Sequence, residues 1–213
     1  LELFRARFQP IAVPCVLLTN TARDLHFDNL SSLTTDDGEA AAQVIEFLAG
    51  QGHRRICLLG GNWSCSQISY RRLEGCRRAF QRLGLPFDPE RQCEPCRYSM
   101  ADAYAATKRL LDRRPDLTAI FAMSDVMAIG AVRALRDRGR RVPEDISVVG
   151  YDGIPMASYS VPRLTTVRQD TQRLAEQGVD VLLRGIERRG QAPVHEVVPF
   201  QLIPGESVAR LEA

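Results

Sequence analysis

The sequence predicts an α/β protein with a mostly parallel sheet, and two observations carry that reading. Short apolar runs alternate with segments of helical periodicity from about Val13 onward. Cap and stop residues also fall where the period changes, as in Asp36 with Glu39 before one helix and Gly50 with Gly52 after it.

Taken in order, "AVPCVLL" and "SSLTT" read as strands, followed by a helix over 37–49 in which Ala41, Val44, Ile45 and Leu48 share one face. The strand "RICLLG" precedes a helix over 66–83, whose stripe is Leu73, Cys76, Phe80 and Leu83. Strand-like "QCEPCRY" leads to a helix over 100–112, and strand "TAIFAM" to a helix over 125–138. Strands "ISVVGY" and "LTTVRQ", a helix over 171–188 and a single strand "VHEVVPF" complete the pattern. The apolar stripes are read as core rather than as cofactor contacts.

Composition excludes several classes. With 213 residues and 45% hydrophobic content, the chain suits one large domain or two small lobes. No run approaches the roughly 20 apolar residues needed to cross a bilayer, and "LELFRARFQP" lacks the pattern of a signal peptide. No membrane partner is expected. A formal charge of +2 with interspersed signs gives no basic field for nucleic acid, and Lys108 is the sole lysine in an arginine-rich chain.

Of the six cysteines, Cys15 and Cys57 sit in apolar runs, as reduced core thiols do, which favours a reducing cytoplasm. Cys93 and Cys96 form one C-x-x-C with neither a second pair nor a nearby histidine, so they are read as two thiols on an exposed strand. No metal or cofactor is expected. Phosphate loops, dinucleotide fingerprints and nucleophile elbows are absent, and His53 lies before a strand, as a structural histidine does.

Ligands of parallel α/β sheets sit at the carboxyl ends of the strands. That rule selects Thr35, Asp36 and Asp37, then Asn62, Trp63 and Ser64, then Ser124 and Asp125, then Tyr151 and Asp152, and finally Gln169 and Asp170. Carboxylates and amides beside aromatic faces describe a pocket for a small polar ligand. Each position also has a plainer reading, since Ser124, Asp125 and Asp36 are good helix caps and Asp152-Gly153 is a good turn.

The strings "GHRRICLLGG", "RRLEGCRRAFQRLGLPFDPE", "VPEDISVVGYD", "PRLTTVRQD" and "LIPGES" closely resemble the effector-binding core of lactose-repressor-type (LacI/GalR) transcription regulators, from about Pro14 to Ser207. The resemblance implies a type I periplasmic-binding-protein-like fold of two parallel-sheet lobes with a sugar, polyol or nucleoside effector. It also implies a homodimer that reaches operator DNA through an N-terminal headpiece missing from this sequence, and no catalysis.

Carried over by position, Asp37, Arg72 and Asp152 would grip the effector, and Trp63 would stack on it. Ser124, Asp125, Tyr151 and Gln169 complete the expected site. Ser124 stands where the family commonly has asparagine, and Gly205 where it usually has arginine. The family carries further strands and helices upstream, so the first lobe is expected to be incomplete, comprising 1–52 and 170–196. The second lobe is expected to comprise 53–168 and 197–213. Such a chain alone is expected neither to bind operator DNA nor to hold effector tightly. Two alternatives use the same residues: a periplasmic sugar-binding protein of a transporter, and a sugar-modifying enzyme with Asp37 and Asp152 as an acid–base pair.

Overall fold

A computed structural model of the chain describes residues 6, 13–21, 27–61, 66–188 and 190–211. Nine strands and seven helices are used below: β1 (Cys15–Leu18), β2 (Leu30–Thr34), α1 (Asp37–Gly50), β3 (Ile56–Gly60), α2 (Gln67–Arg82), α3 (Pro89–Gln92), β4 (Cys93–Pro95), α4 (Met100–Arg113), β5 (Ala119–Ala122), α5 (Asp125–Asp137), β6 (Ser147–Asp152), α6 (Pro155–Tyr159), β7 (Thr165–Gln169), α7 (Thr171–Glu187), β8 (His195–Val197) and β9 (Phe200–Ile203). Ser66, Ser99, Ser124 and Asp170 each accept a backbone N–H at the start of a helix, as the sequence pattern requires. The two short helices α3 and α6, which periodicity does not reveal, begin with proline, whose fixed φ suits a first helical turn.

The chain divides into two compact units, Leu1–Asp36 with Gln169–Phe200, and Asp37–Arg168 with Gln201–Ala213. The first unit carries a three-stranded sheet in the order β1-β2-β8, parallel throughout. Strand alternation sorts its side chains: Val16 and Leu33 pack with Leu174, Val181 and Val198, whereas Cys15 and Leu17 pack with Leu30.

The second unit carries a six-stranded sheet in the order β4-β3-β5-β6-β7-β9, with β4 through β7 parallel. Every residue of β3 and β5 is buried, which explains why these strands read as continuous apolar runs rather than alternating ones. Helices α1 and α2 pack together, as do α4 and α5. Both contacts rest on glycine: a Cβ on Gly75 would strike the Gly38 carbonyl, and one on Gly130 the Met100 carbonyl.

The structure corrects the expected lobe boundaries. Helix α1 belongs with the second unit because its face of Ala40, Ala41, Val44 and Ile45 is buried there, and because Cys76 on α2 lies against Ala41 O. The single strand "VHEVVPF" is two strands in different sheets, β8 and β9, separated at Val198-Pro199. Proline has no N–H to extend a ladder, so the break falls there.

His53 is buried, with Nδ1 at 3.1 Å from Thr118 Oγ1 and Nε2 at 3.1 Å from Ala209 O. Burial lowers its pKa, so the neutral ring is favoured and its role is structural. Cys93 is buried rather than exposed, and burial raises its thiol to about 12, with Cys57 and the partly buried Cys96 raised to about 11. Such thiols are unreactive core groups.

Replacing Gly75 with Ala forces α1 and α2 apart or strains α2. Urea denaturation of Gly75→Ala is expected to show a loss of about 1–3 kcal/mol, with the slope of the transition unchanged.

Candidate functional site

The carboxyl ends of β5 and β6, with the first residue of α1 and the buried face of α2, converge on one guanidinium. Arg72 Nε donates to Asp37 Oδ1 at 2.8 Å, and Nη1 donates to Met123 O at 2.5 Å. The guanidinium carbon lies 3.5 Å from the centre of the Tyr151 ring, and Tyr151 Oη donates to the same Asp37 oxygen at 2.9 Å. Arg72 is 4% exposed, Asp37 3% and Tyr151 0%. Burial opposes the charge on Arg72, but Asp37 and then Tyr151 outweigh it, so the guanidinium is held firmly protonated. Burial raises the Tyr151 phenol, which therefore remains a donor to Asp37.

Asp152, the last residue of β6, is half-buried and holds φ at 110°. For an aspartate this conformation is costly and persists only where its surroundings impose it, which is characteristic of functional positions. Gly153 follows at φ 72°, packed against Arg168 so closely that no side chain fits. Asp152 contributes to the field at Arg72, so the partly exposed acid and the buried cation belong to one electrostatic group.

The structure redistributes the remaining expected residues. Ser124 Oγ accepts from Met127 N at 3.2 Å as the cap of α5, and its side chain is buried. Asp125 is wholly buried, with Oδ2 accepting from Ile154 N at 2.8 Å and Oδ1 from Thr166 Oγ1 at 2.5 Å. Both carboxylate oxygens of Asp125 are thus engaged by other elements of the same unit. Gln169 lies in the first unit, where its Oε1 accepts from Thr35 Oγ1 at 3.1 Å. Trp63, with its neighbours Asn62 and Ser64, lies outside the described residues.

Tyr98 is a residue that the sequence reading missed. Its hydroxyl lies 2.9 Å from Ser69 Oγ, its ring closes over Gly61, and it stands among the groups acting on the Arg72 charge. At 43% exposure it is a partly open aromatic side chain that acts on the same arginine. The strand rule would have found it had β4 been ended at Pro95 rather than carried on to Tyr98. Gly205 also acquires a reason, since its backbone donates to Thr165 Oγ1 at 2.9 Å and a Cβ there would meet Arg163 O and Leu164. Among the described residues, no group of three or more His, Cys, Asp or Glu side chains is placed to hold a metal.

Two outcomes follow from this geometry. Asp37→Ala leaves the Arg72 charge buried without its partner and is expected to cost about 3–5 kcal/mol in chemical denaturation. Asp125 is raised to about 6, chiefly by burial, although its bonds to Thr166 and Ile154 act in the other direction. Its folded pKa lies above the unfolded value, so its stabilising contribution is complete below about pH 4 and is lost as pH rises through about 6. Asp125→Asn removes that dependence. Urea midpoints at pH 4.5 and pH 7 should show the asparagine variant gaining about 2 kcal/mol relative to wild type at the higher pH, with the His53 contribution common to both proteins.

Comparison with known proteins places this geometry in a family. A family model described as a periplasmic binding protein-like domain matches residues 45–208. The HTH-type transcriptional regulator MalR of Clostridium butyricum is 33% identical over 207 residues, covering 97% of this chain and 61% of MalR. The solved complex of the transcriptional regulator CelR with cellobiose has a TM-score of 0.83 at 29% identity, covering 97% of this chain and 69% of that one. A LacI family transcriptional regulator from Enterococcus faecium, solved with bound ribose, has a TM-score of 0.86 at 26% identity, covering 99% and 76%. The chain thus spans about 61% of the length of MalR. It carries the periplasmic-binding-protein-like fold and belongs to the LacI family of transcriptional regulators.

Proposed function

We propose that this chain is the effector-sensing part of a LacI-type transcription regulator, taking a small polyhydroxylated ligand at Asp152, Tyr98 and Arg72. The observation that carries the reading is the strained, half-buried Asp152 at the carboxyl end of β6, next in the chain to Tyr151 of the buried Arg72–Asp37–Tyr151 group, with the partly exposed Tyr98 acting on the same arginine. A carboxylate accepts from sugar hydroxyls, the ring stacks on the apolar face of a pyranose or a base, and the arginine supplies fixed donors. Relatives solved with cellobiose and with ribose support a saccharide as the ligand class. In the whole regulator, which acts in the cytoplasm as a homodimer, ligand binding alters operator recognition through a helix-turn-helix headpiece. Gln169, and Trp63 by its position after "LLGG", are proposed as further ligand contacts.

The transporter and enzyme readings are less well supported. The relatives above are transcription regulators, and Asp37 is engaged by Arg72 and Tyr151 rather than presented to a water.

The test is thermal denaturation with a panel of sugars, polyols and nucleosides. A ligand at about 100 times its Kd stabilises the folded state by about 2.7 kcal/mol, a readily measured rise in Tm. One chemical class should raise Tm in wild type and fail to do so in Asp152→Ala. A panel without effect, or an equal rise in both proteins, contradicts the reading.

A further inference from the structure

An aspartate in the first turn of a helix ordinarily complements the helix dipole while remaining in water. Asp125 occupies that position in α5 but is withdrawn from solvent and spent on other elements. Oδ2 accepts from Ile154 N, in the loop after β6. Oδ1 accepts from Thr166 Oγ1 on β7. Gly150 on β6 is pressed so closely against this carboxylate that a Cβ there would strike Oδ1. One side chain therefore touches β6 on one side of Asp152, the loop on its other side, and the neighbouring strand.

Asp152 itself sits between these contacts at φ 110°, a conformation that its flanking residues must impose. Gly150 is packed against the carboxylate on one side, and the amide of Ile154 is held by it on the other. β7, reached through Thr166, ends at Gln169, the residue at which the chain enters the other unit.

We propose that Asp125 is a positioning residue that fixes Asp152 in its strained conformation and ties the Asp152–Ile154 loop to β7, without itself touching the effector. The proposal rests on the reading of Asp152 as an effector contact. Force applied at Asp152 by a ligand then reaches β7 through the chain of bonds from Ile154 to Asp125 to Thr166, and β7 is one of the segments in which the chain passes from one unit to the other.

Amide hydrogen exchange of the full chain without ligand tests the tie directly, because local opening is read residue by residue. In Asp125→Ala, the Ile154 amide should exchange at least tenfold faster than in wild type, while Val44 and Phe80 in the core remain unchanged. Asp125→Asn should restore wild-type exchange at Ile154 to within about threefold, because its amide oxygen still accepts from Ile154 and its NH2 donates to Thr166.

Unchanged exchange at Ile154 in Asp125→Ala overturns the proposal, as does an acceleration shared equally by loop and core. If Asp125→Ala does not fold, the pair Thr166→Val and Thr166→Ser decides: valine should accelerate Ile154 several-fold and serine should not, and identical exchange in the two overturns the tie. Since no ligand is present, these results stand apart from the Asp152→Ala binding test, whose failure would instead remove the effector reading.

Discussion

The second unit is organised around the burial of a single positive charge. A guanidinium withdrawn from water is tolerated only when its donors and its charge are matched. Arg72 meets that requirement by drawing on Asp37 at the start of α1, the Met123 carbonyl just after β5 and the ring of Tyr151 in β6. A buried ion pair adds little net stability compared with an apolar replacement, but breaking one half of it is expensive. Its effect here is on register, since α1, α2, β5 and β6 cannot slide past one another without stranding the charge. The same constraint delivers Asp152, the residue after Tyr151, to the carboxyl edge of the sheet.

This arrangement explains why much of the fold was legible in the sequence. The apolar run "TAIFAM" followed by Ser124 announces a buried strand feeding a capped helix, and β5 and α5 begin within a residue of the expected positions. Parallel strands buried on both faces leave a strong local signal, as do serine caps. The strand-end rule likewise singles out Asp37, just after β2, and Tyr151 and Asp152, at the end of β6, because each stands at the carboxyl end of a parallel strand.

What was not legible depends on tertiary contacts between segments far apart in the chain. The family resemblance implies that α1 belongs to the first lobe, whereas the Gly38–Gly75 approach that places it with α2 joins residues well separated in sequence. Asp125 looks like a helix cap in sequence, and only its bonds to Ile154 and Thr166 reveal that it serves other elements. Ser124 shows the converse. It stands where the family commonly has asparagine, yet its hydroxyl caps α5 as an ordinary serine would. Gly205 departs from the family for a visible reason, the close packing of its backbone against Arg163 and Leu164.

The claim that one buried ion pair sets the register of the second unit is open to a direct measurement. A double-mutant cycle of Asp37→Asn with Arg72→Gln, followed by urea denaturation, isolates the interaction of the two side chains. The account predicts a coupling energy of about 1–3 kcal/mol, with the double variant more stable than the two single losses imply. Single effects that add to within about 0.5 kcal/mol would show that the two residues act independently, and would contradict it.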